Sequence, residues 1–137
     1  MNFYGKVEYK KKTYINLPNL DSYFYFFLNE IIKNWNFSIL KLSKILKLDH
    51  EIIENWFNSK AVKLFELNDV EKRKALIKLI IIYKKLSKMF SDSHNQKLWL
   101  ETYHPELKDI PINKIEYSYD GINEIKQYLD YICERGA

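Results

Sequence analysis

Phe37-Ser-Ile-Leu-Lys-Leu-Ser-Lys-Ile-Leu-Lys-Leu-Asp-His-Glu-Ile-Ile-Glu-Asn-Trp-Phe-Asn58 is the stretch on which the fold turns. Its apolar residues recur every three or four positions: Leu42, Ile45 and Leu46, then Ile52, Ile53, Trp56 and Phe57. That period is one face of a helix, not the alternation of a strand. The two groups are separated only by Lys47-Leu48-Asp49, too short for anything but a tight turn. Ser38 and Asp49 are residues whose side chains cap helix starts, so the stretch predicts two short helices joined by a turn.

The pattern extends outward on both sides. Upstream, Phe24, Phe27, Leu28, Ile31, Ile32 and Trp35 share one helical face, with Asp21 or Ser22 as the cap after Leu17-Pro18-Asn19. Downstream, Leu76, Leu79, Ile80, Tyr83, Leu86 and Phe90 predict a long helix over about 70–90. Ser91-Asp92-Ser93 stops it and caps a short helix holding Leu98, Trp99 and Leu100. Pro105 and Pro111 bracket an irregular connection, Asp120-Gly121 is read as a turn, and a last helix runs over about 122–134 with Ile125, Leu129 and Ile132 inward. Residues 3–15 alternate loosely and then carry Lys10-Lys11-Lys12, which fits either a short strand or a mobile arm. Three Gly and three Pro in 137 residues leave little to interrupt helices. The expected fold is all-α: an arm over 1–20, a helix-turn-helix bundle over 21–66 and a small helical domain over 67–137.

Composition narrows the class. At 47% hydrophobic and 29% charged, the chain has ample material for a core and is too apolar for a disordered tail. The single cysteine, Cys133, cannot form an intramolecular disulfide and fits a reducing compartment. The N-terminus has no basic region followed by an apolar stretch, and no apolar run approaches the roughly twenty residues that cross a bilayer. A cytoplasmic protein without a membrane segment is expected. Residues 1–92 hold seventeen Lys/Arg against ten Asp/Glu, net +7, while 93–137 hold five against eight, net −3. A basic body with an acidic end suggests different partners for the two ends.

An active site is not visible in the residue pattern. His50, His94 and His104 are scattered, with no Cys or acidic neighbour at metal-ligand spacing, and there is no glycine-rich phosphate loop. No enzyme, metal or cofactor is expected. The quoted stretch instead suggests DNA recognition, because the second helix of such a pair enters the major groove. Its outward residues would be His50, Glu51, Glu54, Asn55 and Asn58. His and Asn can read bases, Lys41, Lys44, Lys47 and Lys60 can hold phosphates, and Glu51 and Glu54 oppose a polyanion. Lys47 stands where such turns favour glycine.

Over about half the chain a family resemblance joins this reading. Lys88-Met89-Phe90-Ser91-Asp92, then Lys97-Leu98-Trp99-Leu100, then Leu107-Lys108-Asp109-Ile110-Pro111-Ile112 with Ile115, Asp120-Gly121 and Tyr128-Leu129-Asp130-Tyr131-Ile132 follow in order. This order resembles the toxin-binding domain of the Xre/MbcA/ParS antitoxin family, which also carries an Xre-like helix-turn-helix upstream. Lys108-Asp109 departs from it by standing where the family usually has paired glycines. The resemblance implies an antitoxin that binds and occludes a RES-domain, NAD-consuming toxin and autoregulates by binding its own operator. It further implies an interface built from Trp99, Tyr103, Leu107, Pro111, Tyr128 and Tyr131, with Arg135, Gly136 and Ala137 nearest the toxin pocket. Trp99 and Tyr103 can equally fill space between helices, and Arg135 can simply complement a helix C-terminus. A homodimer is expected, since two helix-turn-helix units bind two half-sites. The competing expectation is a stand-alone helix-turn-helix transcription regulator with no toxin partner.

Overall fold

Among the described residues every regular element is a helix, so the fold is all-α. The structure, a computed structural model, describes residues 17–135. In order these form α1 (Leu17–Trp35), α2 (Ile39–Leu46), α3 (His50–Ser59), a 3-10 turn (Leu64–Glu66), α4 (Val70–Met89), α5 (Ser93–Glu101), α6 (Pro111–Tyr117) and α7 (Tyr119–Glu134). The arm expected over 1–16, and Gly136 and Ala137, lie outside the described residues.

The helix starts follow capping chemistry. Ser38 accepts from the Lys41 N–H, Asp69 from Glu71, Asp92 from His94 and Ser118 from Gly121. Each such cap stabilises its helix by roughly 1 kcal/mol. Asp49 occupies the cap position of α3 in an extended conformation, but its side chain makes no cap bond. α1 begins four residues before the expected cap at Asp21, because Pro18 falls in the first turn, where no intrahelical N–H is needed. Three helices end in left-handed residues: Asn36 (φ 56°), Lys47 (φ 58°) and Lys60 (φ 57°). Lys47 does take the backbone conformation that glycine adopts most easily, at a cost of roughly 1–2 kcal/mol for an L-residue. Its N–H returns to the Ser43 carbonyl, and the Ser43 hydroxyl donates to the Leu48 carbonyl, so the turn is closed on both sides.

Near the C-terminus the sequence reading missed one helix and misread one turn. The stretch after the Pro105–Pro111 connection, where no element was expected, forms α6, with Pro111 as its first residue. Asp120-Gly121 is not a turn but the first turn of α7, which begins at Tyr119. Gly121 is there for space. A Cβ on it would lie 1.9 Å from the Lys114 carbonyl oxygen, so only glycine lets the backbones of α6 and α7 approach this closely.

The buried side chains of both halves form one cluster. Leu28, Ile31 and Trp35 of α1, Leu42, Ile45 and Leu46 of α2 and Ile53 of α3 are fully buried with Leu76, Leu79, Ile82 and Leu86 of α4. α4 and α7 pack most extensively, α6 lies against α7, and α1 packs on α5 across the expected boundary at residue 66. Across that boundary the Trp35 indole N–H donates to Gln96 Oε1 at 3.1 Å, and Gln96 Nε2 donates to the Phe90 carbonyl at 2.9 Å. The Tyr119 hydroxyl donates to the Leu46 carbonyl at 2.5 Å, and Lys72 donates to the Lys47 carbonyl at 2.7 Å. Those two bonds tie the start of α7 and the start of α4 to the end of α2.

Candidate functional site

The first surface is built where the loop 102–110 meets the C-terminal half of α7. The Thr102 hydroxyl donates back to the Leu98 carbonyl and ends α5. The loop then closes on itself: the His104 N–H donates to the Asp109 carbonyl at 3.0 Å, and the Leu107 and Lys108 N–H groups donate to the His104 carbonyl. Lys108 is left-handed (φ 55°). Asp109 Oδ1 accepts from the Ile110 N–H at 2.7 Å and leads the chain into Pro111 and α6. The His104 ring lies 4.6 Å from the Trp99 ring, and its Nε2 is 3.0 Å from the Trp99 carbonyl.

Trp99 is the floor of this surface. It is buried and stacks on Tyr128 with centroids 6.4 Å apart and planes 21° from parallel. The Tyr128 hydroxyl donates to Glu106 Oε1 at 2.8 Å, which fastens the loop to α7. Burial first, and then the Glu106 hydrogen bond, push the Tyr128 phenol up to about 12. Leu107 and Pro111 are buried beneath the loop. Of the residues expected at an interface, Trp99, Leu107 and Pro111 therefore support the surface, and Tyr103, Tyr131 and Arg135 are the ones solvent reaches. Tyr131 and Tyr103 are each 56% exposed. The Arg135 guanidinium lies 5.4 Å from the Tyr131 ring centroid and donates to its hydroxyl at 3.2 Å. Behind them, Asp130 takes Lys126 at 2.8 Å and Lys85 at 3.0 Å, joining α7 to α4. The Lys126 hydrogen bond, reinforced by Lys85, holds the Asp130 carboxyl below the usual carboxylate range.

The second surface is the outer side of α2 and α3. His50, Glu51, Glu54, Asn55, Asn58 and Lys60 are all exposed, so the face is polar and open, with two carboxylates among the candidate base-reading groups. The lysines separate into two kinds. Lys41 is committed to Glu116 of α6 at 2.8 Å and lies over the Phe37 ring, while the Lys47 ammonium donates to the Lys44 and Glu116 carbonyls. Lys44 is exposed and, with Ser38, Leu40, Lys41 and Glu116, lines a shallow cleft of about 240 Å³. Of these four candidate lysines, Lys44 and Lys60 are exposed, and for neither ammonium is an ion pair or hydrogen bond found among the described residues.

Sequence reasoning missed Glu116, because no helix was expected between Pro111 and Asp120, and Gln96, whose only signal was a polar residue on the inner side of α5. It also missed Glu106 as the partner of Tyr128, since that pairing joins a loop to a helix 22 residues away. No group of three or more His, Cys, Asp or Glu suited to a metal occurs among the described residues. No helix there is long and apolar enough to cross a membrane. No family model matches the chain, and no curated protein matches it either.

Proposed function

We propose that this chain is the antitoxin of a type II toxin–antitoxin pair. In this reading α4–α7 bind and occlude a RES-domain, NAD-consuming toxin, and α2 and α3 form a helix-turn-helix that autoregulates the operator. The observation that carries the reading is the exposed Tyr131–Arg135 pair beside Tyr128, mounted on the rigid Trp99 floor at the end of α7. Aromatic side chains with few rotatable bonds and an arginine are what dominate protein–protein contacts. Further support comes from Lys108, whose left-handed backbone stands where the resembled family carries glycine.

Occlusion needs no chemistry from the antitoxin. Tyr103 and Tyr131 supply contact area at little entropic cost, and Arg135 offers a planar donor set suited to a carboxylate or phosphate. The test is co-expression with the product of the adjacent gene. A stable complex that restores growth is expected, and Tyr131→Ala with Arg135→Glu should weaken that complex about tenfold or more. A toxic neighbour that neither binds the chain nor is neutralised by it refutes the reading.

The stand-alone regulator remains a second reading because His50, Asn55 and Asn58 are open on α3. It requires salt-sensitive binding of the chain to its own promoter with no toxin partner, since phosphate contacts weaken as salt rises.

A further inference from the structure

Lys41, Lys44 and Lys47 follow one another at three-residue spacing along α2 and its cap, which sets them along one side of the helix. In a helix-turn-helix the first helix of the pair crosses the DNA backbone, so cations on it meet phosphates while the second helix reads bases. Here that side of α2 already meets an anion. α6 packs against α2, and the Glu116 carboxylate lies 2.8 Å from the Lys41 ammonium. That is the length of a charge-assisted hydrogen bond, the kind of bond a phosphate oxygen makes with the same group. Glu116 lines one cleft with Ser38, Leu40, Lys41 and Lys44, and it is the one carboxylate among those five residues. The Lys41 and Glu116 side chains are only 34% and 26% exposed, so salt screens them less than an open surface pair.

Other bonds hold α6 and α7 on α2. The Lys47 ammonium donates to the Glu116 backbone carbonyl at 3.2 Å, and the Tyr119 hydroxyl donates to the Leu46 carbonyl. Neither bond uses the Glu116 carboxylate, so both survive its removal. The remaining cross-helix pairs, Lys114 with Glu124 and Lys85 with Asp130, join α6 to α7 and α4 to α7. The Lys41–Glu116 pair differs from them in taking a cation off the side of α2 that a phosphate would meet.

We propose, on the helix-turn-helix reading of α2 and α3 on which this rests, that Glu116 is a built-in inhibitor of DNA binding. Its carboxylate takes the place of a backbone phosphate on Lys41, and a duplex must displace it before Lys41 can join Lys44 in holding the backbone. Lys44 is exposed on the same cleft, with no ion pair or hydrogen bond to its ammonium found among the described residues. Wild type therefore meets a phosphate backbone with one of the two cleft lysines masked.

Fluorescence anisotropy with the full chain and a labelled duplex of about 30 base pairs, taken from upstream of its own gene, tests this between about 50 and 200 mM salt. Glu116→Gln and Glu116→Ala should each tighten binding about three- to tenfold over wild type. Each should also steepen the fall of log affinity with log salt by about 0.9, the value of one added phosphate contact. Glu124→Gln removes the same charge from the Lys114 pair and should stay within about twofold of wild type, because its effect on the duplex is screened. In a Lys41→Ala chain, adding Glu116→Gln should change nothing, since the cation it unmasks is gone. Circular-dichroism melts of both Glu116 variants should stay close to wild type, and a melt far below it marks the carboxylate as structural and overturns the proposal. Glu116 variants that bind no more tightly than Glu124→Gln, or a gain that persists without Lys41, overturn it while leaving the helix-turn-helix reading in place. Failure of wild type and every variant to bind the duplex at any salt overturns both.

Discussion

Replacing Gly121 with alanine isolates the contact that lets α6 and α7 pack. The new methyl carbon would start 1.9 Å from the Lys114 carbonyl oxygen and 2.6 Å from its carbonyl carbon. Both are backbone atoms of α6, so no flexible side chain can swing away. Relief requires α7 to move outward by more than an ångström along its first turn. That movement pulls on Ile122 and Ile125, which are fully buried, and on the Tyr119 hydroxyl bond to Leu46. Overpacking of this kind costs roughly 1–3 kcal/mol, and a backbone obstacle puts it at the upper end. Alanine returns about 1 kcal/mol through helix propensity, less in a first turn. The net expectation is a loss of about 2 kcal/mol, which in a chain of this size lowers the melting temperature by roughly 6–10 °C. Urea unfolding followed by circular dichroism measures it directly. A Gly121→Ala chain as stable as wild type, or more so, refutes the claim that this glycine is required by helix approach.

Other perturbations act on distinct features. Lys108→Gly relieves a left-handed lysine (φ 55°) and should raise stability by about 0.5–1 kcal/mol in the same urea assay. Gln96→Leu strips the Trp35 indole of its acceptor inside the core, and the orphaned donor should cost about 1–3 kcal/mol. The Tyr128 phenol is raised to about 12 in the folded chain, against about 10 for a free tyrosine. The folded state thus favours the protonated phenol, so this contribution is complete below pH 10 and is lost as pH rises toward 12. Comparing wild type with Tyr128→Phe across that window should show the steeper decline in wild type, and parallel curves would contradict the assignment.

The helical class of this protein and most of its core were legible in the amino-acid order. The three- and four-residue spacing from Phe24 to Trp35 and from Leu76 to Leu86 identifies inward faces because helical periodicity is a local property. Ser38 and Asp92 announce helix starts for the same reason: a cap bonds to backbone two or three residues away. Even the strained turn at Lys47 was readable, since a tight helix end demands a left-handed residue whatever its identity. The grouping of surface residues was not. Glu116 meeting Lys41 and Lys47, Glu106 meeting Tyr128, and Gln96 joining Trp35 to Phe90 all depend on which helices become neighbours. Gly121 shows the division most clearly. In sequence Asp-Gly signals a turn, because local preference is all that a pair of residues can express. In the fold it is a helical residue, because the approach of α6 leaves no room for a side chain there. Local backbone preference is written residue by residue, whereas the close contacts that assign a residue its role exist only once distant helices have packed.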